Sequence, residues 1–264
     1  MTIYAPAPAA GDALSAYEAL APAYDVLAAD YAHDRWLDAI VDVARRYGVE
    51  GRRVLDVACG TGRSFVPLLE RGWDVTALDL SPSMVERARA AAGGRAEVLV
   101  ADMRALDALG EFDLLTCLDD AINYLLDAED VGAALAGFAR NLGEDGIAVW
   151  DVNTLRAQRS AFSNDWIRDA GETVITWNGR SGADVEPGGV FEAAVDVWLE
   201  AGDGWSRSRG VHTQRHWPVA TLTRLASEAG LEVVATLGQR PGAQLDDRGS
   251  EDEHNKILFV ARRA

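Results

Sequence analysis

Arg53-Val54-Leu55-Asp56-Val57-Ala58-Cys59-Gly60-Thr61-Gly62 runs an apolar strand through an acidic residue into a loop with two glycines two positions apart. Asp79 closes the next apolar run, 17 residues after Gly62. A strand, a glycine loop, a helix and a second strand ending in a carboxylate are the outline of a nucleotide-binding βαβ unit. The charge is wrong for a dinucleotide. In such a unit the loop and the following helix N-terminus receive a pyrophosphate, and a carboxylate at Asp56 repels that anion. An adenosine compound that lacks phosphate and carries positive charge is attracted instead.

Outward from this loop the pattern repeats. Ser64–Arg71 reads as a helix stopped by Gly72, and Asp74–Leu78 as the second strand. Ser81-Pro82 is a helix-start signal, a capping side chain followed by proline in the first turn. Glu97–Val100, Phe112–Thr116 and Ile147–Val152 are short apolar runs, expected of parallel strands covered on both faces. Asp130–Asn141 is helical. Thr221–Ala229 is a further helix, and Leu231–Leu237 and Ile257–Ala261 are the last two strands. No crossover helix separates that pair, so it is expected to be antiparallel. The loop of about 17 residues between them is acidic. The expected core is an α/β, doubly wound, seven-stranded sheet whose strand C-termini share one ligand-binding edge.

Two regions depart from this rhythm. Upstream, Tyr24–Tyr47 has helical period and Asp12 is an expected N-cap, with Pro22 dividing the segment. Between Thr173 and Trp217 the period becomes two: Phe191, Ala193, Val195, Val197 and Leu199 alternate with Glu192, Ala194, Asp196, Trp198 and Glu200. This is an antiparallel flap of three strands, turning at Gly202-Asp203-Gly204. The expected organisation is a lead and helical cap over 1–50, a core over 51–154 and 218–264, and the inserted flap over 155–217.

Composition narrows the function. The chain has 264 residues and a formal charge of −17, with 24 arginines and Lys256 as its one lysine. Binding to phosphate backbones is dominated by Lys and Arg, so a nucleic-acid partner is not expected. Cys59 and Cys117 stand at strand ends without metal-ligand spacing, as reduced buried thiols in a cytoplasmic protein. No stretch approaches 18 apolar residues, so no membrane span is expected. The leading MTIYAPAPAAGD has no basic region followed by an apolar core, and reads as a short disordered lead rather than a secretion signal.

The stretch Val54–Arg89, with Ala101-Asp102-Met103 and Phe112–Leu118 in order behind it, resembles the cofactor half of class I S-adenosylmethionine-dependent methyltransferases, small-molecule type, with a Rossmann-like core. That cofactor is an adenosine with an ammonium and a sulfonium. The resemblance implies a binding loop of Ala58, Cys59, Gly60 and Gly62, with Asp56 near the methionine ammonium. It implies Asp79 on the ribose hydroxyls, Leu80 and Met84 against the adenine, and Asp102 and Met103 at the adenine edge. Leu118 and Asp119 follow the fourth strand; Asp119 or Asp120 is expected either to cap the next helix or to face the sulfonium or an amine substrate. Asn123, Tyr124, Asp151 and Asn153 open onto the same edge. Tyr17, Tyr24 and Tyr31, seven residues apart, could offer π faces to a cation; Tyr24 resembles the aromatic cap that closes over the methyl donor.

Candidate bases lie in the flap. Period two puts His212, Gln214 and His216 on one face, and a neutral histidine could take a proton from an attacking amine or hydroxyl. An interface or solvent face is the alternative. The two histidines stand about 13 Å apart on a strand, so no shared metal is expected. The expected function is methyl transfer to nitrogen or oxygen of a small-molecule acceptor, with a homodimer contact through the flap as a further expectation. A nicotinamide-dependent oxidoreductase would need a third glycine where Phe65 stands, and conflicts with Asp56. A non-catalytic module that only binds the cofactor is the third reading.

Overall fold

Parallel pairing of the first apolar runs decides the architecture. The computed structural model describes residues 13–264; the Asp12 cap and the Ala-Pro lead lie outside the described residues. The chain opens with α1 (Ala13–Leu20), α2 (Tyr24–Leu27) and α3 (His33–Arg46). Then come β1 (Arg53–Val57), α4 (Val66–Glu70), β2 (Asp74–Asp79), α5 (Pro82–Ala92), β3 (Glu97–Val100), β4 (Phe112–Cys117), α6 (Ala128–Asn141) and β5 (Leu142–Asn153). After α7 (Leu155–Phe162), four strands follow: β6 (Asp165–Asp169), β7 (Thr173–Gly179), β8 (Val190–Ala201) and β9 (Gly204–Arg215). The chain closes with α8 (Val219–Glu228), β10 (Leu231–Arg240), β11 (Gln244–Asp246) and β12 (Lys256–Arg263).

The large sheet has the order β11-β10-β12-β5-β4-β1-β2-β3. Pairs among β1 to β5 are parallel, and β12 runs antiparallel between β5 and β10. Both faces are covered. Along β12, Ile257, Phe259 and Ala261 pack toward α6 and α8, while Leu258 and Val260 pack toward the face that carries α3, α4 and α5. This is why the core strands read as continuous apolar runs. Ser81 caps α5, its side chain accepting from the Met84 N–H at 3.1 Å.

The second sheet is β6-β7-β8-β9, antiparallel throughout. The helical cap ties it to the core. Leu20 and Ala23 pack with Ile175, Val195 and Val197 of the flap. Gly210 makes this approach possible, because a Cβ there would stand 2.8 Å from Ala16 Cα. Glu18 fastens the other side of α1. Its carboxylate accepts from the Ser83 N–H (3.0 Å), the Ser83 hydroxyl (2.6 Å) and the Ser81 hydroxyl, at the N-terminus of α5. A carboxylate is favoured there by the orphan N–H groups and the helix dipole.

Four expectations need correction. The core sheet has eight strands, because the chain folds back at Pro241-Gly242-Ala243 and adds β11 to β10. The flap has four strands, because β6 pairs with β7. Tyr24–Tyr47 is two helices, parted at residues 28–32. The helix expected from Ser64 begins at Val66, since Ser64 turns inward to Asp56. Helix α7, capped by Thr154, was not anticipated.

Candidate active site

A cavity of about 270 Å³ opens at the C-terminal ends of β1, β2, β3 and β4. One wall comes from consecutive strand ends. Ala58, Cys59 and Gly60 follow β1, Asp79 and Leu80 end β2, and Ala101 to Arg104 follow β3. Ala58 (φ +58°) and Gly60 (φ +54°) are both left-handed, which turns the loop under the cavity. For Ala58 that conformation costs roughly 1–2 kcal/mol. Asp79 spans the loop and the next helix: it accepts from the Gly60 N–H and the Ser81 N–H, each at 2.9 Å. Burial pushes its carboxyl up, and those backbone donors oppose the shift.

The opposite wall is assembled from distant segments. Leu118, Asp119, Ala121 and Tyr124 follow β4, Tyr17 and Tyr24 hang from the cap, and His33 and Arg63 close one side. Arg63 Nε donates to His33 Nδ1 (3.2 Å), and His33 Nε2 then donates to Asp119 Oδ2 (3.1 Å). Burial alone would raise the Asp119 carboxyl. The His33 hydrogen bond and the Lys256 ammonium outweigh it and hold Asp119 below the ordinary carboxylate range.

The tyrosines form a connected set. Ring centroids of Tyr17 and Tyr24 are 6.4 Å apart, and those of Tyr17 and Tyr124 5.1 Å. Burial and nearby carboxylates raise all three phenols, so they are neutral O–H groups. Behind them lies His212, with Tyr124 Oη 2.9 Å from its Nδ1. Its Nε2 is buried without a partner, at a cost of about 1–3 kcal/mol. Burial pulls the His212 pKa down to about 4, so the ring is neutral.

The sequence-derived residues separate into three groups. Ala58, Cys59, Gly60, Asp79, Leu80, Asp102, Met103, Leu118, Asp119 and Tyr24 line the cavity. Gly62 and Met84 are buried behind it. Asp56 does not line the cavity: it is fully buried, held by the Ser64 hydroxyl and by Thr116 Oγ1 at 2.6 Å. Burial drives its pKa up to about 7. Asp102 spends its carboxylate on Arg104, with Nη2 at 2.6 Å. His212 stands one ring behind the cavity. His216, one residue past the end of β9, does not line the cavity. His216 Nδ1 accepts from the Gly188 N–H (3.1 Å) and Nε2 meets Glu251 at 2.9 Å, so it clasps the flap base to the 250s loop. Tyr31 parts from Tyr17 and Tyr24 at the helix break and accepts from Gln239 at 3.1 Å.

Sequence reading passed over His33, Arg63, Glu18 and Lys256. Lys256 alone carried a signal: one lysine in a chain that otherwise uses arginine. It lies among Asp119, Asp120 and Asp151.

The donor set suits a cationic adenosine compound. Asp79 and Asp119 face the cavity, while both cations on its wall are bound elsewhere. Arg63 donates to the Ala28 carbonyl at 3.1 Å, and Arg104 is paired with Asp102 and Asp130. Residues 54–146 match the methyltransferase-domain family. The chain is 32% identical over 228 residues to a glycine/sarcosine N-methyltransferase of Parasynechococcus marenigrum, covering 78% of this chain and 76% of that protein. It is 29% identical over 211 residues to a dTDP-3-amino-3,4,6-trideoxy-alpha-D-glucopyranose N,N-dimethyltransferase of Streptomyces venezuelae, covering 78% and 86%. A solved S-adenosylmethionine-dependent methyltransferase of Clostridium acetobutylicum superposes with a TM-score of 0.79 at 21% identity, over 94% of this chain and 99% of that one. The chain belongs to the S-adenosylmethionine-dependent methyltransferase family, and S-adenosylmethionine is its cofactor.

Proposed function

We propose that the protein methylates the nitrogen of a small-molecule amine, with the flap (155–217) and the helical cap shaping the acceptor side. The observation that carries this reading is one cavity with a glycine-loop wall on one side and, on the other, the Asp119 carboxylate beside three neutral tyrosines. Carboxylate and π faces both attract an ammonium. Two relatives whose names specify amine nitrogen as the acceptor support it.

When bound, the cofactor supplies a methyl group already activated by its sulfonium. The protein's task is then orientation, which can contribute roughly 7–11 kcal/mol. Gly60 and Asp79 would hold the adenosine side, with Leu80 and Met103 against the ring. Asp119, fixed by His33, would face the cationic centre. Tyr24 and Tyr17 would close over it. The Tyr124 hydroxyl, backed by neutral His212, would orient the acceptor nitrogen. The methylated nitrogen would leave as an ammonium and lose its proton to bulk water, since burial holds His212 at a pKa of about 4, too weak a base to take it. His216 takes no part in this scheme. An exposed Ile167 and a half-exposed Trp166 on edge strand β6 fit a homodimer through the flap.

The test pairs calorimetry of S-adenosylmethionine binding with a labelled-methyl screen over amino sugars, amino acids, phenols and sugar hydroxyls. Transfer confined to amines is the expected result. Transfer confined to hydroxyls, or binding with no transfer to any class, overturns the reading.

A further inference from the structure

Lys256 opens β12 opposite Asn153 of β5, at the ligand edge of the sheet. Its side chain is 14% exposed. Its Nζ lies 2.8 Å from Asp120 Oδ1, 3.1 Å from Asp151 Oδ1 and 4.0 Å from Asp119 Oδ1. One ammonium therefore serves three carboxylates. Asp151 is fully buried, and it accepts from the backbone N–H groups of Asp119 (3.1 Å) and Asp120 (2.6 Å). Those two residues are consecutive and both left-handed, each with φ of +58°.

Two adjacent non-glycine residues do not hold that conformation unaided. Here both N–H groups are drawn onto one carboxylate, and that carboxylate can stay charged while buried only beside a countercharge. Asp120 is gripped a second time, its Oδ2 accepting from Gln214 of the flap at 2.6 Å. The consequence of the turn is the placement of Asp119 on the cavity wall, within reach of His33.

The geometry points to Lys256 as a positioning residue for the methyl-donor site: through Asp151 and Asp120 it holds the left-handed Asp119–Asp120 turn and so keeps the Asp119 carboxylate facing the cavity. The inference rests on the proposal that Asp119 faces the cationic centre of the bound cofactor. It gives Lys256 an effect opposite in sign to its charge. Removing a cation 4.0 Å from Asp119 should, by Coulomb attraction alone, favour a cationic ligand. Losing the turn should disfavour it.

Titration calorimetry with S-adenosylmethionine, whose sulfur is cationic, and with S-adenosylhomocysteine, whose sulfur is neutral, separates the two effects. In Lys256→Met, S-adenosylmethionine is expected to bind at least about tenfold more weakly and S-adenosylhomocysteine within about threefold of wild type. Lys256→Arg should recover most of the difference. Wild-type discrimination in Lys256→Met, or tighter S-adenosylmethionine binding, overturns the inference. Should that variant fail to fold, Asp151→Asn reads the same clamp from its other arm, with the same selective loss expected and an unchanged ratio overturning it. Failure of the underlying reading looks different: Asp119→Asn would then leave the ratio of the two affinities unchanged, whatever Lys256→Met does.

Discussion

The two walls of the cavity are built in opposite ways. The glycine-loop wall takes its residues from three successive strand ends between Ala58 and Arg104, each placed by the strand that precedes it. The facing wall draws Tyr17, His33, Asp119 and Tyr124 from separate segments, with His212 and Lys256 supporting from behind. The first wall is set by local chain geometry. The second exists only when cap, core, flap and final strand have docked. Damage to the first should therefore appear in affinity for the cofactor whatever its charge; damage to the second should appear in turnover, in cap docking or, at Asp119 and its support, in the discrimination between S-adenosylmethionine and S-adenosylhomocysteine.

The largest expected effect tests the first wall. Asp79→Ala removes the acceptor of two backbone N–H groups and a cavity carboxylate together, and should weaken S-adenosylmethionine binding at least tenfold in calorimetry. Each charge-assisted hydrogen bond is worth about 1.5–3 kcal/mol. Unchanged affinity would remove Asp79 from the cofactor site.

The second wall should respond differently. Tyr124→Phe deletes the hydroxyl that would orient the acceptor nitrogen, and is expected to lower turnover on an amine acceptor about tenfold or more, while S-adenosylmethionine affinity stays within about threefold. An equal loss in both would merge the two walls into one functional unit. His216→Ala is the control on the flap: it should lower the melting temperature through loss of the Glu251 clasp and leave the methylation rate per folded molecule at the wild-type value.

Cap docking comes next in size. Glu18→Ala strips the acceptor from Ser81, Ser83 and the start of α5, and should reduce thermal stability by about 1–2 kcal/mol. S-adenosylmethionine should dissociate faster in stopped-flow displacement, because α1 roofs the cavity. An unchanged dissociation rate would show that the cap does not gate it.

The last test is a pH dependence. Asp56 has a folded pKa of about 7, above the ordinary unfolded value of about 3.9. The folded state then binds the proton more tightly, so stability contributed by protonated Asp56 is present below about pH 4 and is lost as pH rises toward 7. Asp56→Asn carries no such loss. Its melting temperature relative to wild type should climb between pH 5 and about pH 7 and then level off; a constant difference would mean that Asp56 stays charged throughout.

Legibility in the sequence follows the same division. Gly60, Asp79, Leu80 and Met103 could be placed because a strand followed by its loop puts them on one edge whatever else the chain does. Asp56 was misplaced because the identity of a carboxylate does not say that Ser64 and Thr116 will bury it. His212 and His216, alike in a period-two reading, are told apart only by their partners, Tyr124 for one and Glu251 for the other. Edge strands β6 and β11 are short and polar, and only their partners make them strands.

The sequence by itself determined the core: alternating apolar runs and helical stretches, punctuated by glycine and capped by serine and proline, admit a doubly wound sheet with its ligand edge beside the Gly60–Gly62 loop. Tertiary structure alone decided the chemistry of the opposite wall. A single lysine 136 residues downstream of Asp120, a histidine at the head of α3 and a tyrosine hung from the cap acquire their partners and directions from burial and mutual contact. Neither burial nor contact exists until the chain has closed on itself.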